Sequence, residues 1–201
     1  MFKGSFHEME KEAAEDMAAR INAVSDLSSF SAETARFLTH PLVFYPGYHL
    51  LKITDSYQNP PRKIHLIFND SDIYVLDGSK QPLEALNEKA ALSLTPETIQ
   101  TYIRFYFHYV KAPEGYFYLV DTADQIPWMS EPSLKAKRAI NKMLEPLEVR
   151  SLKDEKDYTA QACFFFKNAL FASDIHIGLD GSVRFSKQEL LVDDLPAVAH
   201  Y

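Results

Sequence analysis

The side chains able to do chemistry are few and scattered along the chain. There are seven histidines, His7, His40, His49, His65, His108, His176 and His200, and one cysteine, Cys163. His7-Glu8 runs on into Met9-Glu10-Lys11, not into a second histidine one helical turn later, and no C-x-x-C occurs. A local zinc signature is therefore absent, and no metal or other cofactor is expected. Asp174 and His176 stand two apart on an expected strand, so both point to one face. With Cys163 on the preceding strand they suggest a Cys–His–Asp cluster. The alternative is a polar sheet face holding a salt-bridged histidine. A turn at Lys167-Asn168 sets Cys163 opposite Ala172 rather than His176. That leaves the thiol on the shared face but several ångströms away, whereas activation of a nucleophile needs hydrogen-bond contact. His108, on an aromatic helix, is the third acid–base candidate.

Binding candidates come from other residue types. Lys135, Lys137, Arg138 and Lys142 form the one basic cluster, with Lys135, Arg138 and Lys142 on one helix face opposite Ala136, Ile140, Met143 and Leu147. That face suits an acidic partner or a phosphate, and equally a solvated helix surface. Arg104 and Tyr102 on the aromatic helix are candidate ligand contacts. So is Trp128, in Gln125-Ile-Pro-Trp-Met129, as an interface anchor or as a packed loop residue.

Charge and glycine usage exclude several classes. The 28 acidic residues outnumber the 21 basic ones, a net charge of −7. That sign opposes nucleic acid and anionic membrane surfaces. The six glycines, at 4, 47, 78, 115, 178 and 181, make neither a dinucleotide turn nor a phosphate-binding loop. Gly115 lacks the serine of a nucleophile elbow. Gly178-Leu-Asp-Gly181 reads as a hairpin turn centred on Asp180-Gly181.

The elements that must position these residues follow from periodicity and turn chemistry. Apolar residues make up 46% of the 201 and charged residues 24%, as in an ordinary globular chain. The longest apolar runs, 116–120 and 162–166, are far too short to span a bilayer. The N-terminus turns acidic at once, so no signal peptide is expected, and a lone cysteine points to a reducing, cytoplasmic setting. Ala14, Met17, Ile21 and Val24 predict a helix over 7–24. Ser31 as an N-cap predicts a second, closed by His40-Pro41. Extended segments follow at 42–45 and 49–54, then a hairpin of 64–68 with 73–76 around Asn69-Asp-Ser-Asp72. A short helix is expected over 82–91. Thr95-Pro-Glu opens a helix running to about Lys111. One of its faces carries Ile99, Ile103, Tyr106 and Val110, and another Tyr102, Phe105 and Tyr109, so it should be central and buried. A strand at 115–120, a loop at 121–133, a helix over 134–145 and a polar loop over 151–157 come next. Strands at 158–166, 169–179 and 182–192 close the chain as a meander.

The expected fold is therefore α+β: N-terminal helices, then an antiparallel sheet with a C-terminal three-stranded meander packed on a central aromatic-rich helix. It is read as one domain over 1–201, with residues 1–30 as an N-terminal helical arm. The order of elements resembles cystatin-like and nuclear-transport-factor-2-like architectures, in which a curved sheet wraps a helix. That resemblance implies a concave pocket and no particular activity. Leu76-Asp-Gly-Ser-Lys-Gln-Pro-Leu-Glu-Ala-Leu-Asn87, together with Tyr102-Ile-Arg-Phe-Tyr-Phe107, resembles a family of uncharacterised bacterial proteins, which brings no function with it. Two functions are expected from these residues. One is a non-catalytic module that binds a protein partner, a second copy of the chain included, or a small ligand. The other is a small-molecule enzyme using Asp174, His176 or His108 in a pocket between the sheet and the central helix.

Overall fold

The computed structural model describes residues 4–24, 30–57, 59–151 and 157–198. Where the sequence suggests one domain, these residues gather into two compact units, one up to Asp77 and one from Gly78 onward. Each is described by itself. Both are helices on antiparallel sheet, so the fold class is α+β.

The first unit is a five-stranded sheet carrying one helix. In chain order it holds β1 (His7–Glu8), α1 (Lys11–Val24), β2 (Ala35–Pro41), β3 (His49–Asp55), β4 (Arg62–Phe68) and β5 (Ile73–Val75). The strands lie in sequence order, each antiparallel to the next. Ala14, Met17 and Ile21 of α1 bury against Phe37, Leu51, Ile53 and Leu66. The helix starts at Lys11, not at residue 7, because His7 and Glu8 pair with Thr39 and Leu38. The expected arm over 1–30 is thus a strand and a helix packed into this unit; residues 1–3 and 25–29 lie outside the described ones.

The second N-terminal helix is a strand instead. Ser31 accepts from the Glu33 N–H in a short turn, not as a helix cap. Ala35 and Phe37 then alternate with exposed Arg36, and all seven residues of β2 pair with β3. Burial of that alternating face outweighs the local capping signal. The segment after it turns rather than extends, with the Tyr45 and Tyr48 N–H groups bonded to the Leu42 and Tyr45 carbonyls. The hairpin of β4 and β5 forms as expected, with Asn69 Oδ1 accepting from the Ser71 and Asp72 N–H groups.

The second unit holds α2 (Gln81–Lys89), α3 (Ile99–Tyr109), β6 (Tyr118–Leu119), a 3-10 turn (Ala123–Gln125), α4 (Leu134–Asn141), β7 (Glu148–Ser151), β8 (Tyr158–Phe166), β9 (Ala169–Ile177) and β10 (Val183–Val192). Its sheet runs β10-β9-β8-β6, with β7 also on β8. The meander of β8, β9 and β10 forms as the turn chemistry predicts. Gly181 sits at φ 80° in the second turn, and Lys167 takes φ 57° in the first.

Strand parity splits this sheet into two faces. Phe164 faces α3, where the Phe107 ring lies 4.6 Å away and Phe185 joins them. Tyr102, Ile103 and Phe105 of α3 are fully buried. Cys163, Phe165 and Leu170 form the other face, covered by Ile140 from α4, by Leu144 just after it, and by Ile126 and Leu195. Tyr106, expected in the core face of α3, is only half-buried.

Further boundaries differ from expectation, and α3 opens at Ile99 behind Thr98 rather than at Thr95. The strand at 115–120 shrinks to two residues, because Gly115 closes a bridge with Ala112. The helix over 134–145 ends at Asn141. β7 falls where no strand was expected, and most of the expected loop over 151–157 lies outside the described residues.

Candidate functional site

The register places the suggested Cys–His–Asp cluster without ambiguity. Cys163 pairs with Ala172, Gln161 with Asp174, and Thr159 with His176. All six therefore share the face turned away from Phe164, and so away from α3. His108 belongs to α3, on the other side of the sheet, exposed and edge-on to Tyr109 at 4.7 Å. His108 thus stands on the opposite side of the sheet from Asp174 and His176.

On their own face the three residues stand in successive rows, and among the described residues no hydrogen bond joins them. The Cys163 thiol is 1% exposed and accepts from the Glu145 N–H at 3.4 Å. Burial pushes its pKa up, so it rests as a protonated thiol, not a nucleophile. Asp174 accepts from Gln161 Nε2 at 3.0 Å. It lines a hollow of about 270 Å³ that Cys163, Lys187 and Glu189 share. His176 is exposed and lines a second hollow of about 210 Å³ beside Arg150 and Ser186, which Asp174 and Gln161 also border. His200 lies outside the described residues.

The three suggested ligand contacts are engaged in packing. Arg104 grips Asp121 through both guanidinium nitrogens, at 2.8 and 2.9 Å. Burial raises the Asp121 carboxyl, but the Arg104 guanidinium and the Leu147 N–H outweigh it, and the net direction is below the usual carboxylate value. The pair fastens α3 to the segment after β6. Tyr102, fully buried, donates its hydroxyl to the Gly181 carbonyl at 2.6 Å. Trp128 donates Nε1–H to the Ala123 carbonyl at 2.8 Å and packs half-buried on the cluster around Phe165.

The Tyr102 bond has a consequence at the surface. It ties the tip of the β9–β10 hairpin to α3, and the tip then faces α2 across a cavity of about 540 Å³. One wall is the α2 side: Lys80, Glu84, Asn87 and Glu88, recurring at three- and four-residue steps. The opposite wall is Asp180 to Arg184. Leu83 is fully buried beneath, and Tyr106 projects between the walls. Burial raises the Tyr106 pKa; the Lys80 ammonium opposes that shift and Glu84 adds to it. Lys80 pairs with Glu84 at 2.8 Å. Asp180 is held low, chiefly by the Ser182 hydroxyl and then by its N–H. Apart from Tyr106 and the Asp180-Gly181 turn, none of these wall residues stands out in sequence. The step of 80, 84 and 87–88 is a signal, but its partner wall comes from a hairpin about a hundred residues away.

The basic cluster is placed on α4 much as its spacing suggests. Lys135, Arg138 and Lys142 are all exposed, and none has an ion-pair partner among the described residues. Lys137 differs: Asp124 and Glu131 each hold its ammonium at 2.6 Å. Met143, expected on the buried side, is 46% exposed beside the cations. The helix tightens after Asn141, with the Met143 N–H reaching only to the Ile140 carbonyl, and this carries Met143 round from the core. Leu134 at the other end is 73% exposed.

Among the described residues no three His, Cys, Asp or Glu side chains are arranged to hold a metal ion. Among the described residues no helix is long and apolar enough to cross a membrane. No family model, no curated protein and no solved structure matches the chain.

Proposed function

We propose that the chain is a non-catalytic binding module for a small molecule that bears both a cationic and an anionic group. The site is the cavity between α2, Tyr106 and the β9–β10 hairpin. The observation that carries this reading is the Tyr106 hydroxyl: it lines the cavity and has no hydrogen-bond partner among the described residues. A half-buried hydroxyl left open to a cavity is a polar group available to a ligand. The volume, about 540 Å³, is that of a small-ligand pocket. Arg184 and Lys80 offer cations from opposite walls, while Glu88, Glu84 and Asp180 offer carboxylates. A zwitterion satisfies both signs, whereas a simple anion or cation meets like charge on one wall.

Titration calorimetry with the free amino acids and with dipeptides tests this reading. We expect at least one to bind, and Val183→Trp, which fills the cavity from its rim, to abolish the heat. Tyr106→Phe should weaken binding by about tenfold, the worth of one hydrogen bond. No binding to any of these probes, or binding unchanged in Val183→Trp, refutes the proposal.

A further inference from the structure

The exposed face of α4 has a counterpart elsewhere in the chain. Along α4 and onto its C-cap, Leu134, Arg138 and Lys142 follow one another at four-residue steps, each about 6 Å from the next. Neither cation has an ion-pair partner among the described residues, although 28 acidic residues are present. Along α1, Glu12 and Asp16 are exposed and also one turn apart. They too have no ion-pair partner among the described residues, while carboxylates either side of them are paired, Glu15 with Lys11 and Glu8 with Arg36. Beyond Asp16 the same stripe of α1 continues as exposed Ala19 and Ala23. Beside Ala23 lies a hollow of about 250 Å³ formed by Arg20, Ala23, Ser71 and Ile73. Arg20 is committed there to the Asn69 carbonyl at 2.7 Å.

We propose that α4 of one copy docks antiparallel on α1 of a second copy. In that direction Lys142 meets Glu12, Arg138 meets Asp16, and Leu134 reaches the hollow beside Ala23. The spacings agree, since both charge pairs are separated by one helical turn on both helices. Helical side chains lean toward the N-terminus of their own helix. Leu134 therefore leans away from Arg138 and past Ala19, toward the hollow. Ala19 and Ala23 are small enough for the two helices to approach closely. The general repulsion between two copies of charge −7 is screened beyond about 8 Å at physiological salt, while the contact pairs are not. An eight-residue helix presents a small interface, so the association is weak and reversible. The proposal does not depend on the ligand cavity.

Sedimentation of the full chain between about 10 μM and about 1 mM, a range suited to weak complexes, reads this out. At physiological salt the average mass should climb above the 23.0 kDa of one chain, and 0.5 M salt, where the screening length shortens to about the contact distance, should bring it back. Arg138→Glu with Lys142→Glu should weaken association by about tenfold or more, as should Glu12→Lys with Asp16→Lys, each removing two pairs and adding repulsion. All four positions are exposed, so both variants should keep the wild-type thermal midpoint. An equal mixture of the two variants should associate again, because the unaltered α4 of one meets the unaltered α1 of the other. Leu134→Ser should weaken association with every charge in place. A wild-type mass of one chain at all concentrations overturns the proposal. So does association indifferent to the α1 charges, or a mixture that stays monomeric. A monomer whose Arg138 and Lys142 instead bind polyglutamate assigns the face to a foreign acidic protein and equally refutes self-docking.

Discussion

Gly181→Val is expected to cost the second unit about 3 kcal/mol, from two sources that the structure separates. Gly181 holds φ 80° at the hairpin tip, and a residue with a Cβ in the left-handed region costs about 1–2 kcal/mol, a β-branched one at the upper end. The new Cβ would also lie 2.7 Å from the Tyr102 hydroxyl and 2.8 Å from Leu92 Cδ2, and against Asn87 Nδ2. The half-buried ends of Asn87 and Leu92 can give, but Tyr102 is fully buried, so the tip must move off its hydroxyl. Its movement breaks the buried bond from the Tyr102 hydroxyl to the Gly181 carbonyl, and stranding such groups costs about 1–3 kcal/mol. For a chain of this size, about 3 kcal/mol lowers Tm by about 6–12 °C. Thermal unfolding followed by circular dichroism measures it, with urea titration checking that the slope is unchanged. Tyr102→Phe isolates the hydrogen bond and should lose only about 1–2 kcal/mol. Gly181→Ala keeps the clash without the branch and should fall between the two. A Gly181→Val protein within about 2 °C of wild type would refute the reasoning, because neither the backbone term nor the lost bond could then be present. The same variant should also weaken ligand binding, since the moving tip is one wall of the cavity.

Two further outcomes follow from titratable groups. The Asp121 carboxyl is held below its usual value in the fold, so its contribution is present above the unfolded value of about 3.9 and is lost as pH falls through the lower folded value. Urea midpoints should therefore fall less between pH 7 and about pH 3 in Asp121→Asn than in wild type, and identical falls would sink this account of the Arg104 pair. The Cys163 thiol is buried and its pKa raised, so a thiol reagent should label the native protein at least about 100-fold more slowly than the protein in denaturant, since labelling requires local opening. Rapid native labelling would contradict its burial.

Much of the second unit is legible in sequence because its decisive signals are local. Asp180-Gly181 and Lys167-Asn168 turn the chain where backbone conformation demands it, and two tight turns in succession leave three strands only one way to pair. The same turn chemistry set Cys163 against Ala172. The cations of α4 share a face because helical spacing alone puts them there. Ser31 shows the limit of local reading: its capping chemistry is real, yet the hydroxyl closes only a turn, because Ala35 and Phe37 gain more by lining the sheet beneath α1. β7 was illegible for a related reason, since a short polar strand forms only when β8 supplies its hydrogen bonds.

By itself, then, the chain determined its C-terminal meander, the turns that join it and its charged helix face, each set by residues within a few positions of one another. Which side of the sheet α3 covers was decided only in the tertiary structure, and with it the separation of His108 from Asp174 and His176 by the thickness of a sheet. Parity says which residues share a face; it does not say which face an aromatic helix will bury, because that depends on how Phe107 fits Phe164 and Phe185. The cavity was equally out of reach. Its walls come from α2 and from a hairpin distant in sequence, and they face each other only because the Tyr102 hydroxyl holds the hairpin tip in place.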